Sequence, residues 1–149
     1  MKFIADVMLG RLAKWMRLLG FDVLYDRTMT DNELIRISLT QNRTILTRDT
    51  GLAARPLASH HLFIEHDNIR QQLDQVLATF HIMSIPGPLT RCSVCNTLLS
   101  PVAKQEIEDL VPRYVYENNN SFLRCENCGK VYWKGTHVRR MKLQKAESK

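Results

Sequence analysis

Four cysteines stand in two Cys-x-x-Cys pairs, Cys92/Cys95 and Cys125/Cys128, with 29 residues between the pairs. Two such pairs can present four thiolates at the corners of a tetrahedron, which closes every coordination position of a structural zinc ion. Iron accepts the same sulfur geometry. The separation exceeds the roughly 15 to 20 residues of the commonest zinc pattern, so the segment between the pairs is expected to fold as a strand or helix of its own. A closed sulfur site leaves no open position for chemistry, and catalysis is expected elsewhere in the chain. His137 is expected on the surface, since four cysteines already complete the ligand set.

The second group with chemical capacity is Asp6, Asp31 and Asp49. Asp6 ends an apolar run, where a charge in a buried strand is costly without a partner. Asp49 follows another apolar run in Thr47-Arg48-Asp49, and Asp31 opens a helical pattern. In open parallel sheets, ligands bind beyond the carboxyl ends of the strands, where the strand order reverses. That rule would set Asp6 and Asp49 facing each other, with Asp31 at their side. Clustered carboxylates repel one another unless a hard divalent cation neutralises them, so Mg²⁺ or Mn²⁺ is the expected occupant. Such an ion orients a water and stabilises a leaving oxygen, which makes phosphodiester hydrolysis the implied reaction. Structural roles are open to the same acids: a carboxylate favours the first turn of any helix, as Asp31 would, and Asp49 could cap the segment after it. Asp67 is the reserve fourth ligand. Arg11, Lys14 and Arg17 recur every three residues, and Arg48 adjoins Asp49, so these four are the candidate phosphate contacts.

The elements that must position these residues follow from hydrophobic period. Lys2 to Ala5 reads as a strand, and Leu12, Trp15, Met16 and Leu19 share one face of a helix that Gly20 stops. Phe21 to Tyr25 is a second strand. Thr30 and Glu33 have capping-box spacing before a helix that ends near Asn42. Thr44 to Thr47 and Leu62 to Ile64 are further strands, separated by a turn-rich piece around Gly51 and Pro56. A helix from Asp67 or Asn68 carries Ile69, Leu73, Val76, Leu77 and Phe80 on one face. Strands alternating with helices imply right-handed crossovers and a mostly parallel sheet flanked by helices, an α/β domain over residues 1–84. Residues 85–90, with Pro86, Gly87 and Pro88, read as a linker. The remaining 91–149 hold the knuckles, a short helix expected over Ala103 to Leu110, strands over Tyr114 to Tyr116 and Val131 to Trp133, and a basic tail.

Of the 149 residues, 44% are hydrophobic and 24% charged, a globular composition that excludes disorder throughout. No apolar run approaches the roughly 20 residues of a spanning helix, and Asp6 interrupts the N-terminal apolar stretch, so no membrane partner and a cytoplasmic location are expected. Reduced thiols in that compartment fit metal binding better than disulfides. The net charge is +6, unevenly shared: residues 1–88 carry 10 Lys/Arg against 9 Asp/Glu, and residues 89–149 carry 11 against 6. Clustered cations attract phosphate backbones through counterion release, so a polyanionic partner is expected.

The run from Asp6 to Asp22, Asp31-Asn32-Glu33-Leu34, Ile45-Leu46-Thr47-Arg48-Asp49, and both knuckles with Val131-Tyr132-Trp133-Lys134-Gly135-Thr136-His137 resemble the Mut-seven C-terminal ribonuclease family. The likeness spans nearly the whole chain. It implies a PIN-like nuclease domain joined to a C-terminal zinc ribbon, RNA as the substrate, and acidic metal ligands at Asp6, Asp31 and Asp49. The expected function is therefore a metal-dependent ribonuclease with structural zinc and catalytic Mg²⁺ or Mn²⁺. The rival is an inactive, nuclease-derived adaptor that binds RNA, with the ribosome or tRNA as candidate partners. A phosphoryl-acceptor role for Asp6 is disfavoured, because Met8 stands where such sites carry a second acid.

Overall fold

The computed structural model describes residues 1–134. The basic tail, including His137, lies outside the described residues. The first strand, β1 (Lys2–Ala5), runs through a single 3₁₀ turn (Val7–Leu9) into α1 (Gly10–Leu18), and β2 (Asp22–Leu24) follows. Next come α2 (Asp31–Gln41), β3 (Thr44–Thr47), a four-residue α3 (Thr50–Ala53), β4 (His61–Phe63) and α4 (Ile69–Thr79). The four strands form one parallel sheet in the order β2-β1-β3-β4. Among the described residues, no helix is long and apolar enough to cross a membrane.

Alternation along the strands divides the core between the two sheet faces. Phe3, Ala5 and Leu46 pack against Leu12 and Met16 of α1 and Leu73 and Val76 of α4. Ile4 and Ile45 pack on the other face against Leu34 and Ile35 of α2 and Leu52 of α3. Because β1 lies between β2 and β3, the strand order reverses at β1, and the switch point opens between the carboxyl ends of β1 and β3.

The helix ends are set by local chemistry. Thr30 Oγ1 accepts from the Glu33 amide and donates to the Glu33 carboxylate, a variant of the expected capping box. Asn68, rather than Asp67, caps α4 by accepting from the Arg70 and Gln71 amides. Helix α1 closes in a Schellman motif: Gly20 N donates to Arg17 O and Phe21 N to Met16 O, with Gly20 at φ +99°. The chain then returns to this turn. Gly87 N donates to Leu19 O and Leu89 N to Leu18 O, so the segment 85–90 is bonded to the last turn of α1.

Beyond Leu89 a three-stranded antiparallel sheet forms in the order β5 (Ser100–Val102), β6 (Phe122–Arg124) and β7 (Val131–Tyr132). A 3₁₀ segment (Lys104–Leu110) stands where a short helix is expected, with Ile107 fully buried beneath it. Tyr114 to Tyr116, expected as a strand, lies instead within α5 (Arg113–Asn118). The preceding Pro112 has φ −59°, suited to a helix start, Arg113 pairs with Glu117 one turn on, and no α5 residue is buried, so no sheet face selects the extended form.

A β-carbon on Gly20 would lie 2.5 Å from the Gly87 carbonyl oxygen, both backbone-fixed. Left-handed strain and overpacking add in the same direction, so Gly20→Ala is expected to lose about 2 to 4 kcal/mol. Urea denaturation should show this as a lowered midpoint at unchanged slope.

Candidate metal centre and carboxylate edge

The two cysteine pairs are built on one backbone pattern. In the first, Asn96 N donates to Cys92 O and Cys92 N to Thr97 O. In the second, Gly129 N donates to Cys125 O and Cys125 N to Lys130 O. The fifth residue of each loop takes a left-handed conformation, Asn96 at φ 66° and Gly129 at φ 82°, which suits Gly and Asn. The four Sγ atoms lie within 4.8 Å of one another, and Cys92 and Cys128 are 3.7 Å apart. A tetrahedral site with Zn–S bonds near 2.3 Å requires sulfurs about 3.8 Å apart. The described cysteines are all free thiols and fit a metal such as zinc.

Neighbouring polar groups surround the sulfurs. Asn127 Nδ2 donates to Cys95 Sγ at 3.1 Å, the Cys95 amide to Cys92 Sγ at 3.4 Å, and the Tyr132 hydroxyl lies 3.1 Å from Cys92 Sγ. Such outer contacts orient ligands. Burial pushes the Cys92 thiol up, but hydrogen bonds from Tyr132 and the Cys95 and Val94 amides outweigh it and hold the thiol at about 7. At Cys128 the hydrogen bond with the Lys130 amide pulls the thiol down, but desolvation and contacts with the other three sulfurs prevail and push it up to about 11. A bound dication removes that crowding by taking all four as thiolates.

The first knuckle is locked to the parallel sheet. Arg17, expected among the phosphate contacts, is 4% exposed: Nε donates to Val23 O, and Nη1 donates to Ser93 O and Val94 O. Its position on α1 faces the knuckle, which removes it from the RNA-accessible surface. Burial pulls this guanidinium below its usual value, opposed by the Cys92 and Cys95 sulfurs and Asp22. Asn96 completes the lock, accepting from Val23 N at 3.1 Å and donating to Asp22 Oδ1 at 2.7 Å. Asp22 also receives Arg43 Nη1, which donates in addition to Phe3 O of β1. Burial alone would raise the Asp22 carboxyl, yet the Arg43 and Asn96 bonds hold it below the usual carboxylate value.

At the opposite, carboxyl edge of the sheet, Asp6 is 4% exposed and accepts three hydrogen bonds. Oδ1 takes the Met8 amide at 2.8 Å; Oδ2 takes the Arg48 amide at 2.9 Å and the Thr47 hydroxyl. Thr47, fully buried, accepts in turn from Asp49 N at 2.9 Å. One hydroxyl therefore joins the Asp6 carboxylate to the backbone of Asp49 across the switch point. Asp49 Oδ1 caps α3 through the Gly51 and Leu52 amides. Asp31 is exposed in the first turn of α2, whose neighbour Asn32 accepts from Arg55 just beyond α3. Among the described residues, the cysteines form the side-chain cluster close enough to hold a metal; Asp6, Asp31 and Asp49 are not gathered in that way. Arg11 and Lys14 are exposed on α1, and Arg48 Nη1 pairs with Asp67 Oδ1 at 2.5 Å.

Sequence reading missed three residues of these sites. Thr47 carries a usable signal, a polar residue ending a buried strand next to an acid. Asn96 carries another, an Asn where the knuckle turn needs a left-handed residue. Tyr132 gives none, because its contact with Cys92 spans 40 positions.

A parallel four-stranded sheet with acids at its switch point, carrying a four-cysteine cluster, defines an α/β protein with a metal-compatible appendage. The Mut7-C RNAse domain family model matches residues 1–144, and the chain belongs to that family. Membership carries a ribonuclease-like function, with RNA as substrate or partner. No curated protein and no solved structure shows significant similarity to the chain.

Asn96→Gly keeps the left-handed backbone and removes only the side-chain amide. It should cost about 1 to 3 kcal/mol, because the Val23 amide loses its partner, and hydrogen exchange at Val23 should accelerate. The Asp22 contribution to stability has a defined window. With its folded value lowered, it is fully present above the ordinary Asp value near about pH 4 and is lost as pH falls through the folded value. Asp22→Asn should flatten the pH dependence of unfolding in that acid window.

Proposed function

We propose that this chain is a metal-dependent ribonuclease whose active edge is formed by Asp6, Asp49 and Asp31. The observation that carries the reading is the Thr47 hydroxyl, which donates to the Asp6 carboxylate and accepts from the backbone amide of Asp49, linking one acid to the chain that carries the other at the switch point of a Mut7-C RNAse domain. Carboxylate oxygens suit a hard cation, and Asp49 Oδ2 lies outside the α3 cap. Mg²⁺ or Mn²⁺ bound there would supply charge to phosphate oxygens and an acidified water. Asp6 would remain fixed by its three donors, Asp31 would complete the site or orient water, and Arg11, Lys14 and Arg48 would hold the RNA backbone.

In this reading, residues 1–84 are the PIN-like nuclease domain, 85–90 the connector and 91–149 a zinc ribbon that aids RNA binding. A groove lined by Trp133, Lys134, Asn120 and Phe122 supports such a role, combining an aromatic face with a cation and an amide. Zinc would be structural, and the thiolate site suits a reducing compartment such as the cytoplasm.

Three observations favour a second reading. Asp6 is engaged by three donors, Asp49 caps a helix, and the acids are not drawn into a ligand cluster. These structural roles would persist in an inactive adaptor that binds RNA or the ribosome.

The two readings part on Asp49→Asn. Asn caps a helix as well as Asp does, so the fold should persist. With Mn²⁺ and a labelled RNA, cleavage by this variant should fall at least about 100-fold, because a metal ligand supplies several kcal/mol of transition-state stabilisation. Equal cleavage by wild type, Asp6→Asn and Asp49→Asn would remove the nuclease reading, and RNA affinity without cleavage would establish the adaptor.

A further inference from the structure

The ion pair between Arg48 and Asp67 bridges the ends of β3 and β4 beside the acidic edge. Its side chains are 25% and 94% exposed, and exposed pairs of this kind contribute little to stability. Both ends of the pair are nonetheless held by other bonds. The Arg48 amide donates to Asp6 Oδ2 at 2.9 Å, which fixes the Arg48 backbone directly against the proposed active carboxylate. The loop that carries Asp67 is fastened from α4: Gln75 accepts from the Glu65 amide at 3.0 Å, and Gln72, 7% exposed, donates to His66 O at 2.8 Å. Gln75 also donates to Phe63 O, at the last residue of β4. A surface acid is thereby given a defined position from which to reach one guanidinium.

Asp67 takes Arg48 Nη1, and the Nε and Nη2 donors of the same plane form the fork that matches two oxygens of a phosphodiester. An arginine fixed at its backbone by Asp6 and at its tip by Asp67 loses little further freedom when phosphate binds. One oxygen of the Asp67 carboxylate, Oδ1, is committed to Arg48. We propose that Asp67 is a positioning residue that holds the Arg48 guanidinium at the carboxyl edge of the sheet to receive an RNA phosphodiester, and that it does not ligate the catalytic cation. This inference rests on the reading of the carboxyl edge as the RNA site.

Its test uses the sign of an effect. Removing a surface acid should by charge alone tighten RNA binding; loss of a positioning acid should weaken it. Fluorescence anisotropy with a labelled single-stranded RNA, on the full chain with its cysteine site loaded and no other divalent cation added, should show Asp67→Asn and Arg48→Gln each weakening binding about tenfold, the worth of one charged hydrogen bond. The double variant should bind no more weakly than Arg48→Gln alone. Titration with Mn²⁺, read as the free-ion paramagnetic signal, should give Asp67→Asn an affinity within about twofold of wild type. Tighter or unchanged RNA binding by Asp67→Asn, additive losses in the double variant, or a tenfold fall in Mn²⁺ affinity would each overturn the assignment. Because RNA affinity is measured without cleavage, a wild type that fails to cut RNA in Mn²⁺ would bring down the ribonuclease reading and leave this test of the pair standing.

Discussion

A carboxylate that is 4% exposed at the end of a central strand needs donors, and Asp6 finds three from two different segments. That requirement shapes the whole carboxyl edge. The Met8 amide is drawn in, which starts the 3₁₀ turn leading to α1. The Thr47 hydroxyl and the Arg48 amide are drawn in from the neighbouring strand, which fixes the exit of β3. The backbone pairing of Asp6 N with Leu46 O brings the same two strands into register. A buried acid of this kind specifies one arrangement, since any slip in register leaves polar groups unpaired.

At the other end of the sheet, a buried cation has the corresponding role. Arg17 serves three carbonyls, one in β2 and two in the first knuckle. Asn96 and Asp22 extend the contact to Arg43 and so to the backbone of β1. Among the described residues, no buried side-chain nitrogen or oxygen lacks a partner. The cysteine cluster and the parallel sheet therefore share a polar interior in addition to an apolar seam in which Leu18 meets Leu89 and Tyr132. Whatever holds the knuckle in shape bears on β2, the strand whose Val23 amide donates to Asn96 and whose Val23 carbonyl accepts from Arg17.

The parallel half was largely legible in the residues, because each element there carries its own signal. Short apolar runs marked β1 and β3, a shared apolar face marked α1 and α4, and Thr30, Asn42 and Gly20 marked helix ends. The four-residue α3 escaped notice because it is too short for periodicity, although Asp49 is the kind of residue that caps one. The knuckles were legible from spacing alone. The stretch between them was not: β5 and β6 are three residues each, and aromatic, β-branched Tyr114 to Tyr116 has strand propensity without a sheet to join. Arg17 illustrates a different limit. A three-residue spacing placed it with Arg11 and Lys14, but about 100° per residue carries it around the helix onto the knuckle, and only the fold reveals what stands there.

The two cysteine loops share a backbone yet are not interchangeable. At the left-handed position of one, an amide reaches out to the neighbouring sheet; at the same position of the other, glycine meets only its own loop's Arg124. Swapping their sequences would preserve four sulfurs and cut the tether, so the appendage would keep its cysteine cluster and lose its orientation against the sheet. One loop ties the appendage to the parallel sheet, and the other answers it across the sulfurs, where Asn127 donates to Cys95.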